Sequence, residues 1–216
     1  RLIAGDLKTP DTWEVALSGG ADKAETFRRL MAEKKLGALA YLRNLRNMTE
    51  AGISAHELAQ YAAAVDITRV LPFRFLAAAR VVPALEHVLE PMMLRACEGR
   101  ARLKGTTVVM VDVSGSMTAA VSAKSDMTRL DAAYGVAILL RELCEDVVVT
   151  TFSDATVQVP PRRGFALRDA VHNSQRHNGT YLGEAVVHVN NQLNYDRLIV
   201  ITDEQSADRV PLPKGR

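Results

Sequence analysis

The sequence predicts a helical segment followed by an α/β domain built on a doubly wound, mostly parallel sheet. In the first hundred residues, apolar side chains recur at helical spacing. From Thr106 onward, runs of β-branched residues alternate with helical stretches, which is typical of parallel sheets. We therefore expect a helical segment over residues 1–104, a linker at about 99–105, and an α/β domain over 106–216.

Start and stop signals divide the helical segment into six predicted helices. Thr9-Pro10-Asp11 predicts a helix start that Asp11 caps, and Gly19-Gly20 ends that helix. Ser54 and Glu57 match a capping box. The later helices are predicted at 24–35, 36–48, 54–65, 72–82 and 84–97. Short helices at this spacing indicate part of an α-solenoid or a helical bundle.

The second part is predicted to hold four strands and three helices. The strands are expected at 106–112, 146–152, 155–159 and 197–203, and the helices at 129–144, 164–174 and 181–193. The first, second and last strands are apolar and rich in β-branched residues, which predicts burial in a sheet covered on both faces.

The composition indicates an ordinary globular protein, with 48% hydrophobic and 24% charged residues and a net charge of +2. Residues 1–105 carry 16 Lys and Arg against 12 Asp and Glu, which hints at an anionic partner. Cys97 and Cys144 are predicted to be free buried thiols of a cytoplasmic protein, with a disulfide as the alternative. No apolar run is long enough to span a membrane, and no secretory signal is visible.

Oxygen-bearing side chains follow two of the predicted strands and precede one helix. Asp112-x-Ser114-x-Ser116 comes directly after the first strand, Thr180 precedes a helix, and Asp203 ends the last strand. One edge of a parallel sheet would bring all five together, and carboxylates with hydroxyls are ligands suited to Mg²⁺. Taken singly, each of these residues also fits a turn or a helix cap.

This pattern resembles the metal-ion-dependent adhesion site of von Willebrand factor A domains. The resemblance implies that Asp112, Ser114, Ser116, Thr180 and Asp203 surround a divalent cation, usually Mg²⁺. It also implies an open position on the cation that takes an acidic group of a partner. In that family the domain continues with another helix and strand, so we expect the sheet to be incomplete at Arg216.

Two stretches of the helical segment, 36–49 and 70–76, resemble the TROVE module of Ro-type RNA-binding proteins. The resemblance implies a ring of HEAT-like repeats closed by the A-type domain, with most of the ring upstream of Arg1 or on another chain. It further implies binding of small noncoding Y-like RNAs on an outer basic surface. The 3′ ends of misfolded RNAs would enter the central hole, in the service of RNA quality control.

Six basic residues on two predicted helices are the candidates for phosphate contacts. They are Arg28, Arg29, Lys34, Lys35, Arg43 and Arg46. The alternative is that they form a solvated helix face. Trp13, Phe27, Phe73 and Phe75 are expected in the core, so no aromatic stacking platform for bases is indicated among these cations.

The sequence favours a binding protein over an enzyme. Ser114 and Ser116 have no histidine partner at a suggestive spacing, and ligation of a metal already accounts for them. The alternative to RNA binding is a protein-interaction module whose metal site captures an acidic residue of a partner. A metal-dependent phosphoesterase is a third hypothesis, although such enzymes usually have more carboxylates.

Overall fold

The structure is a computed structural model that describes residues 11–123 and 125–215. The chain divides into two compact units. Within the described ranges, the helical unit holds residues 11–70 and 78–92, and the sheet unit holds 71–77 and 93–215. The predicted fold class is confirmed: helices come first, and an open, mostly parallel sheet flanked by helices follows.

Six α-helices make up the first part of the chain. They are α1 (Trp13–Ser18), α2 (Lys23–Ala32), α3 (Ala38–Glu50), α4 (Ala55–Ala64), α5 (Pro72–Val81) and α6 (Glu86–Cys97), with a 3₁₀ turn at Pro83–Leu85. Helices α2, α3 and α4 bury apolar side chains such as Phe27, Leu45 and Leu58. The buried Tyr41 hydroxyl donates to the Leu58 carbonyl at 2.9 Å, and burial raises its pKa.

The predicted capping box of α4 is present, since Ser54 and Glu57 each accept from the backbone N–H of the other. The start of α1 differs from the prediction, because Thr12 and not Asp11 caps it. Asp11 instead pairs with Arg29 and Lys35, and two charged partners outweigh one cap bond. Thr9 and Pro10, the rest of that predicted start signal, lie outside the described residues.

Helix α2 ends three residues earlier than predicted. Lys34 adopts a left-handed backbone with φ of 55°. The Lys35 N–H bonds back to the Leu30 carbonyl at 2.8 Å, and the Lys34 N–H bonds to the Met31 carbonyl at 3.1 Å. This paired arrangement is a Schellman motif, which stops a helix by satisfying its last carbonyls.

The sheet unit contains four described strands and three α-helices. The strands are β1 (Leu103–Asp112), β2 (Cys144–Phe152), β3 (Thr156–Gln158) and β4 (Arg197–Ile201), and the helices are α7 (Arg129–Leu143), α8 (Gly164–His172) and α9 (Leu182–Gln192). The strand order is β3-β2-β1-β4. Because β1 begins at Leu103, the predicted linker of 99–105 is shorter than expected at its C-terminal end.

Strand β1 is the central element of this unit. It pairs in parallel with both β2 and β4, and residues Val108–Val111 are fully buried. Val108 and Met110 pack against Val186 and Val189 of α9, while α7 packs against β1 and β2. Alternate residues of β1 face opposite sides of the sheet, so the strand packs against helices on both faces.

The two outer strands among those described differ from the buried parallel strands at the centre. Strand β3 runs antiparallel to β2, which a mostly parallel sheet allows, because the short turn between Phe152 and Thr156 cannot make a parallel crossover. Strand β4 is half-buried rather than buried, since it pairs only with β1 among the described strands.

Cys97 and Cys144 are both buried and both free, as predicted. Burial raises the pKa of the Cys97 thiol, which keeps it protonated and unreactive. None of the helices in the described ranges has the length and apolar character needed to cross a membrane.

Candidate metal centre

The predicted oxygen ligands lie at one edge of the sheet because of the parallel pairing of β1 and β4. Val111 is in register with Ile201, so the two strands end side by side. Asp112 is the last residue of β1, and Asp203 follows β4 by two residues. The carboxyl edge of an open α/β sheet is the usual place for a bound ligand.

Asp112 is a fully buried carboxylate with 0% exposure. Its Oδ1 accepts a hydrogen bond from the Ser114 backbone N–H at 2.8 Å, and its Oδ2 accepts one from the Thr202 hydroxyl at 2.7 Å. No basic side chain among the described residues contacts it. Burying a carboxylate without a countercharge is costly, and two neutral donors offset only part of that cost.

Ser114 and Ser116 lie beside Asp112 in the loop after β1. Ser114 is fully buried, and its hydroxyl lies 3.2 Å from the Ser116 hydroxyl. A 3₁₀ turn at Gly115–Thr118 folds the loop back on itself. The first three predicted ligands therefore form one cluster of hydroxyl and carboxylate oxygens.

Thr180 belongs to a second loop that touches the first. The Gly115 N–H donates to the Asn178 carbonyl at 2.9 Å and joins the two loops two residues before Thr180. Asp154 fixes this second loop by accepting from the Asn178 side chain at 2.6 Å and the Gly179 N–H at 2.8 Å. These hydrogen bonds lower the pKa of Asp154 and hold its carboxylate ionised.

Thr180 does not cap the helix that follows it. Helix α9 starts at Leu182, and its N-cap residue Tyr181 makes no side-chain cap. The carboxylate of Asp208 takes that role by accepting from the Gly183 and Glu184 N–H groups at 2.8 and 2.7 Å. Although burial opposes ionisation of Asp208, these hydrogen bonds and one from Ser206 lower its pKa. The helix-cap alternative for Thr180 is therefore excluded.

Asp203 differs from Asp112 in having a cationic partner. Its Oδ2 lies 2.5 Å from Nη1 of Arg129, the first residue of α7. Its Oδ1 is buried and has no hydrogen-bond partner among the described residues. The Asp203 side chain is only 8% exposed, so a buried lone pair is left without a donor.

Sequence reasoning missed two residues of this cluster, Thr202 and Arg129. Thr202 is adjacent to the predicted ligand Asp203, and its position at the end of an apolar strand was the available signal. Arg129 carries no local signal, since it lies 74 residues from Asp203 in the chain.

The donor set of this edge consists of oxygen atoms alone. Two carboxylates and three hydroxyls suit a hard cation such as Mg²⁺. Within the described residues, no group of three or more His, Cys, Asp or Glu side chains is placed to hold a metal. Hydroxyl ligands would therefore be essential to any cation site here.

The predicted RNA-contact residues occupy the surface of the helical unit, and four of the six have acidic neighbours. Arg28 pairs with Glu57 at 2.7 Å and, with the Ser54 cap, lowers the pKa of Glu57 to about 2. Arg29 and Lys35 both lie 2.8 Å from Asp11, whose pKa they hold well below its usual range. Arg46 lies 3.9 Å from Glu50, and both side chains are 65% exposed.

Lys34 and Arg43 are the remaining two, and both are exposed. No acidic side chain in the described ranges lies within ion-pair distance of either one. Among the six candidates, Lys34, Arg43 and the loosely paired Arg46 are therefore the ones whose positive charge is least compensated.

Comparison with known proteins gives the chain a family. Residues 4–163 match the model of the TROVE domain, which is well over half of the chain. Telomerase protein component 1 of Mus musculus is 42% identical over 89 residues, and that of Rattus norvegicus is 38% identical over 89 residues. These matches cover 38% of this chain but only 3% of the relatives.

The fold also has a counterpart among solved structures. The crystal structure of the Deinococcus radiodurans RO (RSR) protein superposes with a TM-score of 0.63 at 22% identity. The superposition covers 90% of this chain and 45% of that one, so this chain spans less than half of the solved protein. On the strength of the match over residues 4–163, the chain belongs to the TROVE domain family.

Proposed function

We propose that this chain is an RNA-binding protein of the Ro type, a ribonucleoprotein component rather than an enzyme. The observation that carries the proposal is membership of the TROVE domain family. Its RNAs would be small noncoding Y-like RNAs and the 3′ ends of misfolded RNAs, bound in the service of RNA quality control. The two free buried thiols are consistent with a cytoplasmic location, which is part of the same proposal.

The charges of the helical unit favour some phosphate contacts over others. Arg28 and Arg29 already pair with carboxylates, so a phosphate would have to compete with Glu57 and Asp11 for them. Arg43 has no such competitor among the described residues, and Arg46 has a distant and exposed one. We therefore expect Arg43 and Arg46 to contribute more to RNA affinity than Arg28 and Arg29.

Filter binding of the 216-residue chain to a structured RNA at several salt concentrations tests this proposal. Because each lost phosphate contact removes about one from the slope of log affinity against log salt, the double variant Arg43→Gln/Arg46→Gln should reduce that slope by about two. The matched control Arg28→Gln/Arg29→Gln removes the same charge from paired positions and should change the slope by less than one.

Two results would contradict the proposal. Binding no stronger than background at low salt would exclude RNA binding by this chain and favour the protein-interaction module. Equal losses in the two double variants would show that Arg43 and Arg46 contribute no more to RNA affinity than Arg28 and Arg29, which would contradict the predicted ranking of the phosphate contacts.

We also propose that the sheet edge binds a divalent cation, with Mg²⁺ as the expected ion. The residues that would hold it are Asp112, Ser114, Ser116, Thr180 and Asp203. The fit is supported by the buried Asp112 carboxylate without a countercharge and by the unpartnered Asp203 Oδ1. When bound, the cation would offer one open position to an acidic group of a partner.

A further inference from the structure

Arg129 occupies a position that its own helix does not favour. It is the first residue of α7, where the positive end of the helix dipole repels a cation. The capping box of this helix is complete without it, since Thr128 and Asp131 each accept from the backbone N–H of the other. Helix stability therefore does not explain a guanidinium at this point.

The contact with Asp203 does explain it. The Arg129 guanidinium lies 2.5 Å from Oδ2 of Asp203. The Arg129 side chain is 40% exposed while that of Asp203 is 8% exposed, so the guanidinium reaches a buried carboxylate from the solvent side. The positive charge of Arg129 thus neutralises one of the two carboxylates of the sheet edge.

From this arrangement we infer that Arg129 is an internal counter-cation that competes with a divalent cation for Asp203. The inference rests on the proposed cation site and adds a residue that sets its affinity. The guanidinium holds Oδ2, whereas Oδ1 stays buried without a partner, so Asp203 is only half satisfied by Arg129.

The charges at the site predict the direction in which Arg129 changes the affinity for a divalent cation. Of the two carboxylates proposed as ligands, Arg129 pairs with Asp203 alone, and Asp112 has no cationic partner among the described residues. A divalent cation that enters must tolerate the nearby positive charge of Arg129 or displace it from Asp203, and either event weakens binding. Displacement would also release the guanidinium to solvent at the rim of the site, where it could meet an acidic partner group.

Isothermal titration of the chain with MgCl₂ tests the inference, with Arg129→Gln as the principal variant. Removal of the competing charge should tighten Mg²⁺ binding by about tenfold. Arg129→Lys keeps the charge and should stay within about twofold of the parent chain. Arg141→Gln is the matched control, because it removes the same charge from the same helix at a position that contacts the Arg162 carbonyl. It should leave the affinity unchanged.

The outcomes separate this inference from the proposed cation site. Mg²⁺ binding of equal or lower affinity in Arg129→Gln, with binding intact in the parent chain, would overturn the role of Arg129 as a competitor. Absence of Mg²⁺ binding in both proteins would instead overturn the site itself. Thermal melting without metal checks that each variant is folded, and equal affinity of Arg129→Lys and Arg129→Gln would also overturn a role that depends on charge.

Discussion

Several charged side chains of the helical unit lie at its surface beside partners of opposite sign, whereas the carboxylates of Asp112 and Asp203 at the sheet edge are buried. Arg28 and Glu57 form an exposed pair, and Asp11 pairs with both Arg29 and Lys35. At the sheet edge, Asp112 has only neutral donors. Water screens the exposed ion pairs of the helical unit but does not reach the buried carboxylate of Asp112.

This difference shows which charged or polar groups of each region have no partner of opposite charge or no hydrogen-bond donor among the described residues. Among the candidate RNA contacts of the helical unit, Arg43 and Lys34 are exposed and have no acidic side chain within ion-pair distance in the part of the chain that the structure describes, so they can bind an anion. At the sheet edge, a cation would stabilise the buried carboxylate of Asp112 and the buried, unpartnered Oδ1 of Asp203. These groups match the two proposed ligands, a polyanion for the helical unit and a divalent cation for the sheet edge.

Removing a donor from the buried region should have the largest effect on stability. Thr202→Val keeps the shape of the side chain but leaves Oδ2 of Asp112 without its hydroxyl donor, which lies at 2.7 Å. Because an unsatisfied buried polar group costs about 1–3 kcal/mol, we expect a loss of that size in urea unfolding with a metal chelator present.

The conservative variant Thr202→Ser is the control for this measurement, since it keeps the hydroxyl. It should lose clearly less stability than Thr202→Val. Equal stability of the two variants would mean that the hydroxyl donor to Asp112 does not contribute to the stability of the fold. That result would contradict the proposed difference between the buried carboxylate and the surface ion pairs.

Removing a carboxylate from the surface region should have a smaller effect, and one that depends on pH. Arg28 and the Ser54 cap lower the pKa of Glu57 from 4.5 to about 2. Because the folded-state pKa is depressed, the stabilisation is fully present above pH 4.5 and is lost as the pH falls toward about 2. Urea unfolding of Glu57→Gln and the parent chain should therefore differ at pH 6 and converge at low pH.

Glu50→Gln is the matched control, because its partner Arg46 lies at 3.9 Å and both side chains are 65% exposed. We expect little change in stability from this variant at any pH. A difference between Glu57→Gln and the parent chain that stays constant down to about pH 2 would show that the Arg28–Glu57 pair does not carry the effect.

Local signals predicted much of the fold. The β-branched run before Asp112 predicted β1, and the spacing of Ser54 and Glu57 predicted the capping box of α4. Parallel pairing then brought the Asp112 and Asp203 loops to one edge, as the strand pattern indicated. These features depend on neighbouring residues or on the general geometry of parallel sheets.

Contacts between residues far apart in the chain could not be predicted in this way. The local sequence around Asp11 predicts a helix cap, whereas its actual pairing with Arg29 and Lys35 is set by tertiary structure. In the sequence Thr180 fits a helix cap equally well, but in the structure Asp208, which lies 25 residues downstream of Gly183, takes that role. The pairing of Arg129 with Asp203 belongs to the same class.

The most direct test of the central claim is the effect of Mg²⁺ on thermal unfolding of the chain and of Asp112→Ala. A ligand that binds only the folded state raises its stability, so saturating MgCl₂ should raise the melting temperature of the parent chain. The same addition should leave the melting temperature of Asp112→Ala unchanged, because this variant lacks the buried carboxylate that would bind the cation. An equal response of the two proteins to Mg²⁺, or no response in either, would contradict a cation site at this edge of the sheet.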